Sequence, residues 1–135
     1  MDAMNALNME TIYPVHPRNK ARVKRLCNNK QYKKIKFVEP VGYFESIILV
    51  NNAEIVVTDS GGVQREAFFA KKKCLTILDF PVWIETMVDN RNLLAKPEKN
   101  DILEKVRIPQ YINEEYKPFG NGKAASEIVK IINNL

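Results

Sequence analysis

The chain has 135 residues, of which 45% are hydrophobic and 27% are charged, and its net charge is +5. This balance is typical of one soluble globular domain, and no run approaches the ~20 apolar residues that a membrane helix needs. The first residues lack the basic and apolar regions of a signal peptide, and Cys27 and Cys74 lack metal-ligand spacing. We therefore expect a cytoplasmic protein with unpaired thiols, no metal site and no membrane partner.

Short apolar runs alternate with amphipathic segments along the chain. Apolar periodicity predicts strands over 11–15, 35–38, 55–58 and 74–78, and helices over 19–28, 43–51, 63–71, 101–106 and 123–133. A short helical segment is expected around 84–88 and an extended one at 92–95. We expect the helix over 43–51 to be mostly buried, and the β-branched run 55–58 to be a central strand covered on both faces. The alternation predicts an α/β fold, a doubly wound parallel sheet with right-handed crossovers.

Lysine and arginine outnumber aspartate and glutamate by 21 to 16. Much of the excess lies between Arg18 and Lys36, at roughly helical intervals, and in the run 71–73. Neither region has the interleaved aromatic and glycine pattern of an RNA-binding surface. We interpret both as solvated faces and expect no nucleic-acid partner, although the charge is compatible with an anionic ligand.

The strongest local pattern is a buried strand, 55–58, that runs into Asp59-Ser60-Gly61-Gly62 and then into a helix. Free backbone N–H groups and the positive end of the dipole make a helix start favourable for an anion. Two glycines let a phosphate approach the backbone, and Ser60 adds a hydroxyl. Open α/β sheets place ligands at this edge. The alternative is a tight turn with a serine or aspartate cap.

Two further residues lie near the same predicted edge. Glu66 falls in the first turns of the helix, where a carboxylate can cap the helix or accept hydrogen bonds from ribose hydroxyls. His16 is the only histidine and follows the first strand. One histidine cannot build a metal site or a Ser-His-Asp triad, so the alternative for His16 is an ordinary loop residue.

Three spaced motifs stand out: Tyr13-Pro14-Val15-His16-Pro17-Arg18, Thr58-Asp59-Ser60-Gly61-Gly62-Val63-Gln64-Arg65-Glu66-Ala67 and Pro118-Phe119-Gly120-Asn121-Gly122-Lys123-Ala124. Together they resemble the C-terminal half of the non-hydrolysing UDP-N-acetylglucosamine 2-epimerases. Between the last two, Trp83-Ile84-Glu85-Thr86 is similar to the family's Thr-Glu-(Arg or Trp)-Pro-Glu segment. The resemblance extends from about Thr11 to Leu135.

The resemblance implies that residues 1–135 form a single UDP-binding Rossmann-like domain, one half of a two-domain glycosyltransferase-B-type fold. It also implies that the N-terminal half is absent, because Met1 to Asn8 resembles the end of the helix that precedes the His-Pro strand. By position, His16 would act at the diphosphate as the catalytic residue. The substrate-binding and UDP-binding positions would be Ser60, Gly61, Gly62, Glu66, Arg18, Gln64 and Glu85.

In the family, UDP is eliminated from UDP-N-acetylglucosamine to give a glycal, and re-addition gives UDP-N-acetylmannosamine. The resemblance implies that this half stabilises the leaving diphosphate, while the carboxylates for proton transfer at C2 belong to the N-terminal half. We therefore expect no turnover from this half alone, and no cofactor. Its expected partners are UDP or UDP-N-acetylglucosamine, an N-terminal half in trans, and a second copy in a homodimer.

Several residues depart from the family pattern. Arg65 stands where many relatives have a second glutamate, Ile84 replaces a proline, and Ser46 stands where relatives often have an aromatic residue near the uracil. These changes leave sugar and base selectivity open. They also keep two alternatives: a non-catalytic nucleotide-binding or interaction domain that retains the fold, and one half of a glycosyltransferase.

Overall fold

The computed structural model describes residues 1–27 and 32–134, so Asn28, predicted as the end of a helix, lies outside the described residues. Within these residues, 3-10 helices lie at Pro17–Asn19 and Ile84–Asn90. The strands are β1 Thr11–Pro14, β2 Ile35–Val38, β3 Ile55–Thr58, β4 Lys73–Thr76 and β5 Asn92–Leu94. The α-helices are α1 Asp2–Ala6, α2 Lys20–Cys27, α3 Tyr43–Asn52, α4 Gly61–Phe69, α5 Lys99–Arg107 and α6 Ala124–Asn133.

All described strand pairs are parallel, which confirms the α/β prediction. β1 pairs with β2, while β3, β4 and β5 form a second sheet in that order. Within the described residues the strands thus pair as two sheets rather than one. The prediction that 55–58 is the central strand is wrong: β3 lies at an edge of its sheet with its residues only partly buried, and β4 is central and fully buried. A β-branched run favours a strand, but it does not specify how many neighbours that strand has.

Helices cover both faces of the three-stranded sheet. Side chains of consecutive strand residues point to opposite faces. Leu75 therefore packs with Ala3 of α1 and Ile102 of α5, whereas Cys74 packs with Val50 of α3 and Ala67 of α4. These two small cores make the sheet doubly wound, as predicted. They also fix α4, whose first residues carry the Gly-Gly turn, against the sheet.

Much apolar surface stays exposed on two helices. The prediction that the helix over 43–51 is mostly buried is wrong, because Tyr43, Phe44 and Ile48 are 66%, 78% and 60% exposed and only Val50 is buried. Apolar periodicity defines a face that can be buried, but a covering partner must also be present. In α6 the exposed apolar side chains are Ile128, Val129, Ile131 and Ile132. No described helix has the length and apolar character to cross a membrane.

Two lysines stabilise helix α5. The buried Nζ of Lys73 donates hydrogen bonds to the carbonyl oxygens of Val106, at 2.6 Å, and Ile108, at the end of the helix. A cation is favourable there because the helix dipole is negative at its C-terminal end. Burial also lowers the pKa of Lys73. Along α5, Lys105 Nζ lies 2.7 Å from a carboxylate oxygen of Asp101, four residues earlier in the helix.

Candidate functional site

The start of α4 is capped by side chains of the turn that follows β3. Ser60 Oγ accepts a hydrogen bond from the Val63 N–H at 3.4 Å, and Thr58 Oγ1 accepts one from the Ser60 N–H at 3.0 Å. In the described part of the chain, no hydrogen bond reaches the N–H groups of Gly61 and Gly62. These two donors, at the positive end of the helix dipole, can bind an anion.

The two glycines have different surroundings. A Cβ added to Gly61 would lie 2.9 Å from Val82 Cγ1 and 3.3 Å from Trp83 Nε1. A Cβ added to Gly62 would meet only Ser60 Oγ, at 3.6 Å, an ordinary contact. Neither residue has a positive φ. Gly61 is therefore required by packing within the chain, whereas nothing in the chain requires the glycine at Gly62, and the space beside it is open to a ligand.

The segment Val82–Thr86 packs against the first turn of α4 through a buried hydrogen-bond network. The Gln64 side-chain amide donates to the Thr86 hydroxyl at 2.7 Å and to the Trp83 carbonyl at 3.2 Å. Thr86 Oγ1 in turn donates to the Trp83 carbonyl at 2.7 Å. Gln64 and Thr86 are both 0% exposed. Gln64, which the resemblance implied to be a UDP-binding position, thus has its amide nitrogen engaged within the protein.

Trp83 lies between a cation and an aromatic cluster. The guanidinium carbon of Arg65 is 4.3 Å from the centre of the indole ring, a cation–π arrangement. Phe119, from the third motif, packs at 6.0 Å from Trp83 and at 5.4 Å from both Phe68 and Phe69 of α4. The fold therefore brings the second and third motifs together around Trp83. Local sequence patterns did not predict this arrangement, because Trp83 and Phe119 lie 36 residues apart in the chain.

Glu66 carries an unpaired oxygen. Its side chain is partly buried in α4, and Oε2 is buried with no hydrogen-bond partner in the described structure. A buried acceptor without a donor is costly, and native proteins pair such atoms in nearly all cases. A donor that reached this oxygen, from water, a neighbouring side chain or a ligand hydroxyl, would remove that cost.

The remaining predicted residues lie outside residues 59–62, the turn at the start of α4 that we call the α4 turn. His16 follows β1 and is exposed, and its Nδ1 accepts hydrogen bonds from the Arg18 N–H at 3.2 Å and the Arg18 Nε–H at 3.4 Å. Because Nδ1 accepts, the hydrogen-bond pattern assigns the proton of the neutral ring to Nε2. No hydrogen bond among the described residues joins His16 or Arg18 to the start of α4. Glu85 is partly buried in the 3-10 helix after Trp83.

Within residues 1–27 and 32–134, no three histidine, cysteine, aspartate or glutamate side chains cluster as they would around a metal ion. Both cysteines are free: Cys74 is buried in the sheet and Cys27 is exposed at the end of α2. Burial raises the pKa of the Cys74 thiol to about 12.

Known proteins with similar sequences share one family. Residues 1–133 match the family described as UDP-N-acetylglucosamine 2-epimerase. A UDP-N-acetylglucosamine 2-epimerase homolog of Methanococcus maripaludis is 41% identical over 95% of this chain and 37% of its own length. A UDP-2,3-diacetamido-2,3-dideoxy-D-glucuronate 2-epimerase of Pseudomonas aeruginosa is 32% identical over 100% of this chain and 39% of its own length.

A solved structure agrees in fold. The UDP-GlcNAc 2-epimerase of Methanocaldococcus jannaschii, crystallised in complex with UDP-GlcNAc and UDP, superposes with a TM-score of 0.75 at 41% identity. The match covers 92% of this chain and 35% of that one. The chain spans little more than a third of the length of these relatives, and it belongs to the UDP-N-acetylglucosamine 2-epimerase family.

Proposed function

We propose that residues 1–135 are a single UDP-sugar-binding domain that corresponds to the C-terminal half of a UDP-N-acetylglucosamine 2-epimerase. The observation that carries the proposal is the unused polar groups on α4: two free N–H groups beside an open space at Gly62, and one buried, unpaired oxygen on Glu66. A diphosphate and a ribose would satisfy them. The family membership supports the same ligand.

Each polar group has a proposed role. The diphosphate would accept hydrogen bonds from the N–H groups of Gly61 and Gly62 and from the Ser60 hydroxyl, and Glu66 would accept hydrogen bonds from the ribose. The Nε2–H of His16 would approach the diphosphate from the end of β1. Arg18 and Glu85 would lie at the margin of the ligand.

The chemical contribution of this domain is stabilisation of the leaving group. When the C2 proton is removed, the C2–H electron pair would form the C1=C2 bond of the glycal and the C1–O pair would leave with UDP, whose negative charge the α4 donors would stabilise. The base that removes the proton would come from an N-terminal half, so we propose no epimerisation by this chain alone.

Exposed apolar faces support a protein partner. Tyr43, Phe44 and Ile48 on α3, together with α6, present large apolar side chains to solvent. Patches of this kind mark protein interfaces. We propose an N-terminal half in trans as the partner, with homodimerisation through the same faces in its absence.

Two free thiols agree with the proposed cytoplasmic location, where disulfides are rare.

Calorimetric titration with UDP and UDP-N-acetylglucosamine tests the proposal. Ser60→Ala and Glu66→Ala should each weaken binding, whereas the exposed controls Ser126→Ala and Glu104→Ala should not. Proton NMR of the same samples should detect no epimerisation. Binding that is equal in all variants would mean that the ligand does not use the α4 turn.

Failure of the wild-type chain to bind either nucleotide would favour the alternative, an interaction domain that retains only the fold. A third titrant addresses the sugar. The Pseudomonas relative acts on a diacetamido glucuronate by name, so tight binding of that UDP-sugar, with weak binding of UDP-N-acetylglucosamine, would reassign the substrate within the same site.

A further inference from the structure

Gln64 has features of a residue that orders its neighbours. Its side chain is 0% exposed, so it does not face a ligand-accessible surface. Its Oε1 is buried without a partner, while Nε2 donates to Thr86 Oγ1 and to the Trp83 carbonyl. The carbonyl can only accept, so the amide nitrogen must be the atom that faces it. A buried glutamine with one orphan oxygen fills space less favourably than leucine would.

The residues that Gln64 holds lie directly against the proposed diphosphate site. Val82 and Trp83 touch Gly61, close enough that a Cβ there would overlap with Val82 Cγ1. The Trp83 carbonyl accepts bonds from Gln64 and from Thr86, and the Thr86 N–H reaches the same oxygen at 3.1 Å. Two of these three donors belong to Thr86, in the turn itself, so Gln64 is the donor that fixes the position of the Trp83 carbonyl relative to α4.

We propose that Gln64 is a positioning residue: it holds the Trp83–Thr86 turn against the first turn of α4, so that the turn forms one wall of the diphosphate site. Gln64 itself makes no contact with the ligand. This inference rests on the proposed function for the identity of the ligand, but the position of the turn can be measured without one.

Trp83 provides that measurement because it is the only tryptophan in the chain. Gln64→Leu and Thr86→Val each remove one side of the hydrogen bond, and should shift the Trp83 emission to longer wavelength and increase its quenching by acrylamide. Thr86→Ser retains the hydroxyl and should restore wild-type fluorescence. Gln110→Leu is the matched control, since Gln110 also has a buried, unpaired Oε1 but contacts Lys71 instead. Circular dichroism identifies which variants are folded.

The second readout is the dissociation constant for UDP. Losing the two hydrogen bonds by which Gln64 orders the wall should weaken UDP binding by about tenfold in folded Gln64→Leu, with Gln110→Leu at the wild-type value. A merely structural role would lower the melting temperature and leave both the fluorescence and the affinity of the folded protein unchanged.

Each outcome decides the inference. Folded variants with wild-type Trp83 fluorescence overturn it, as does shifted fluorescence with unchanged UDP affinity. If Gln64→Leu does not fold, the Thr86→Val and Thr86→Ser pair gives the same comparison. If the wild-type chain does not bind UDP, the proposed function is wrong, and so is the assignment of the Trp83–Thr86 turn as a wall of a diphosphate site. A fluorescence shift in the variants would then establish only that Gln64 holds the turn.

Discussion

Replacing Gly62 with alanine should separate stability from binding. The new Cβ would lie 3.6 Å from Ser60 Oγ, with no other atom within 4 Å, so the folded chain accepts it without strain. Alanine loses less backbone entropy than glycine on entering a helix, by about 0.5–1 kcal/mol. Gly62→Ala should therefore raise the free energy of unfolding by up to that amount, which corresponds to an increase in melting temperature of about 2–4 °C in a chain of this size.

The same methyl group should block the ligand. It would occupy the open space through which a phosphate approaches the Gly62 N–H. Losing one hydrogen bond to a charged group costs about 1.5–3 kcal/mol. The dissociation constant for UDP should therefore be roughly ten- to hundredfold higher than in the wild type. A variant that is more stable and binds more weakly cannot be explained by misfolding.

Gly61→Ala is the matched control. Its Cβ would overlap with Val82 Cγ1 at 2.9 Å and approach Trp83 Nε1, and overpacking of this kind costs about 1–3 kcal/mol. Thermal melts and UDP titrations of the two variants measure both quantities. Wild-type affinity in Gly62→Ala would refute the assignment of Gly62 to the diphosphate, and equal destabilisation of both variants would refute the difference between the two glycines.

Three further predictions concern the rest of the fold. In the native chain a neutral-pH thiol reagent should label Cys27 alone, and Cys74 only after denaturation, because Cys74 is buried and its pKa is raised to about 12. Lys105 and the Lys96 N–H lower the pKa of Asp101 from its usual 3.8. The stabilising contribution of the Asp101 carboxylate is therefore present above pH 3.8 and is lost as the pH falls through the lowered pKa. Asp101→Asn should thus melt lower than wild type at neutral pH, with the difference vanishing in acid. Replacing Lys73 by methionine should reduce the free energy of unfolding by about 1–3 kcal/mol in urea denaturation, because carbonyl groups at the end of α5 lose their donor.

Most helices and strands could be predicted from the sequence. The structure differs mainly in burial and in strand order, which depend on residues far apart in the chain. β2 and β3 have the predicted bounds, and the helix predicted over 63–71 is present at Gly61–Phe69, two residues earlier. Local periodicity contains that information. It does not contain the exposure of Phe44, which depends on what covers α3, or the edge position of β3.

The candidate site was likewise predictable only where it depends on local sequence. Its polar groups at Ser60, Gly62 and Glu66 could be identified from the strand-turn-helix pattern. Packing requires a glycine at Gly61 but not at Gly62, and Gln64 is buried, because a turn about 20 residues further along the chain packs against the start of α4. No local pattern encodes that approach.

Helix α6 is energetically almost independent of the body it is attached to. None of its residues belongs to either core cluster, and all its described side chains are exposed. Gly120 and Gly122, both with positive φ and with open space around them, precede it. Rotation at these glycines can change the direction of the helix without disturbing either core cluster. Assembly through α6 would therefore require little rearrangement of the domain, and a chain that ends at Asn121 should melt at the same temperature as the full chain.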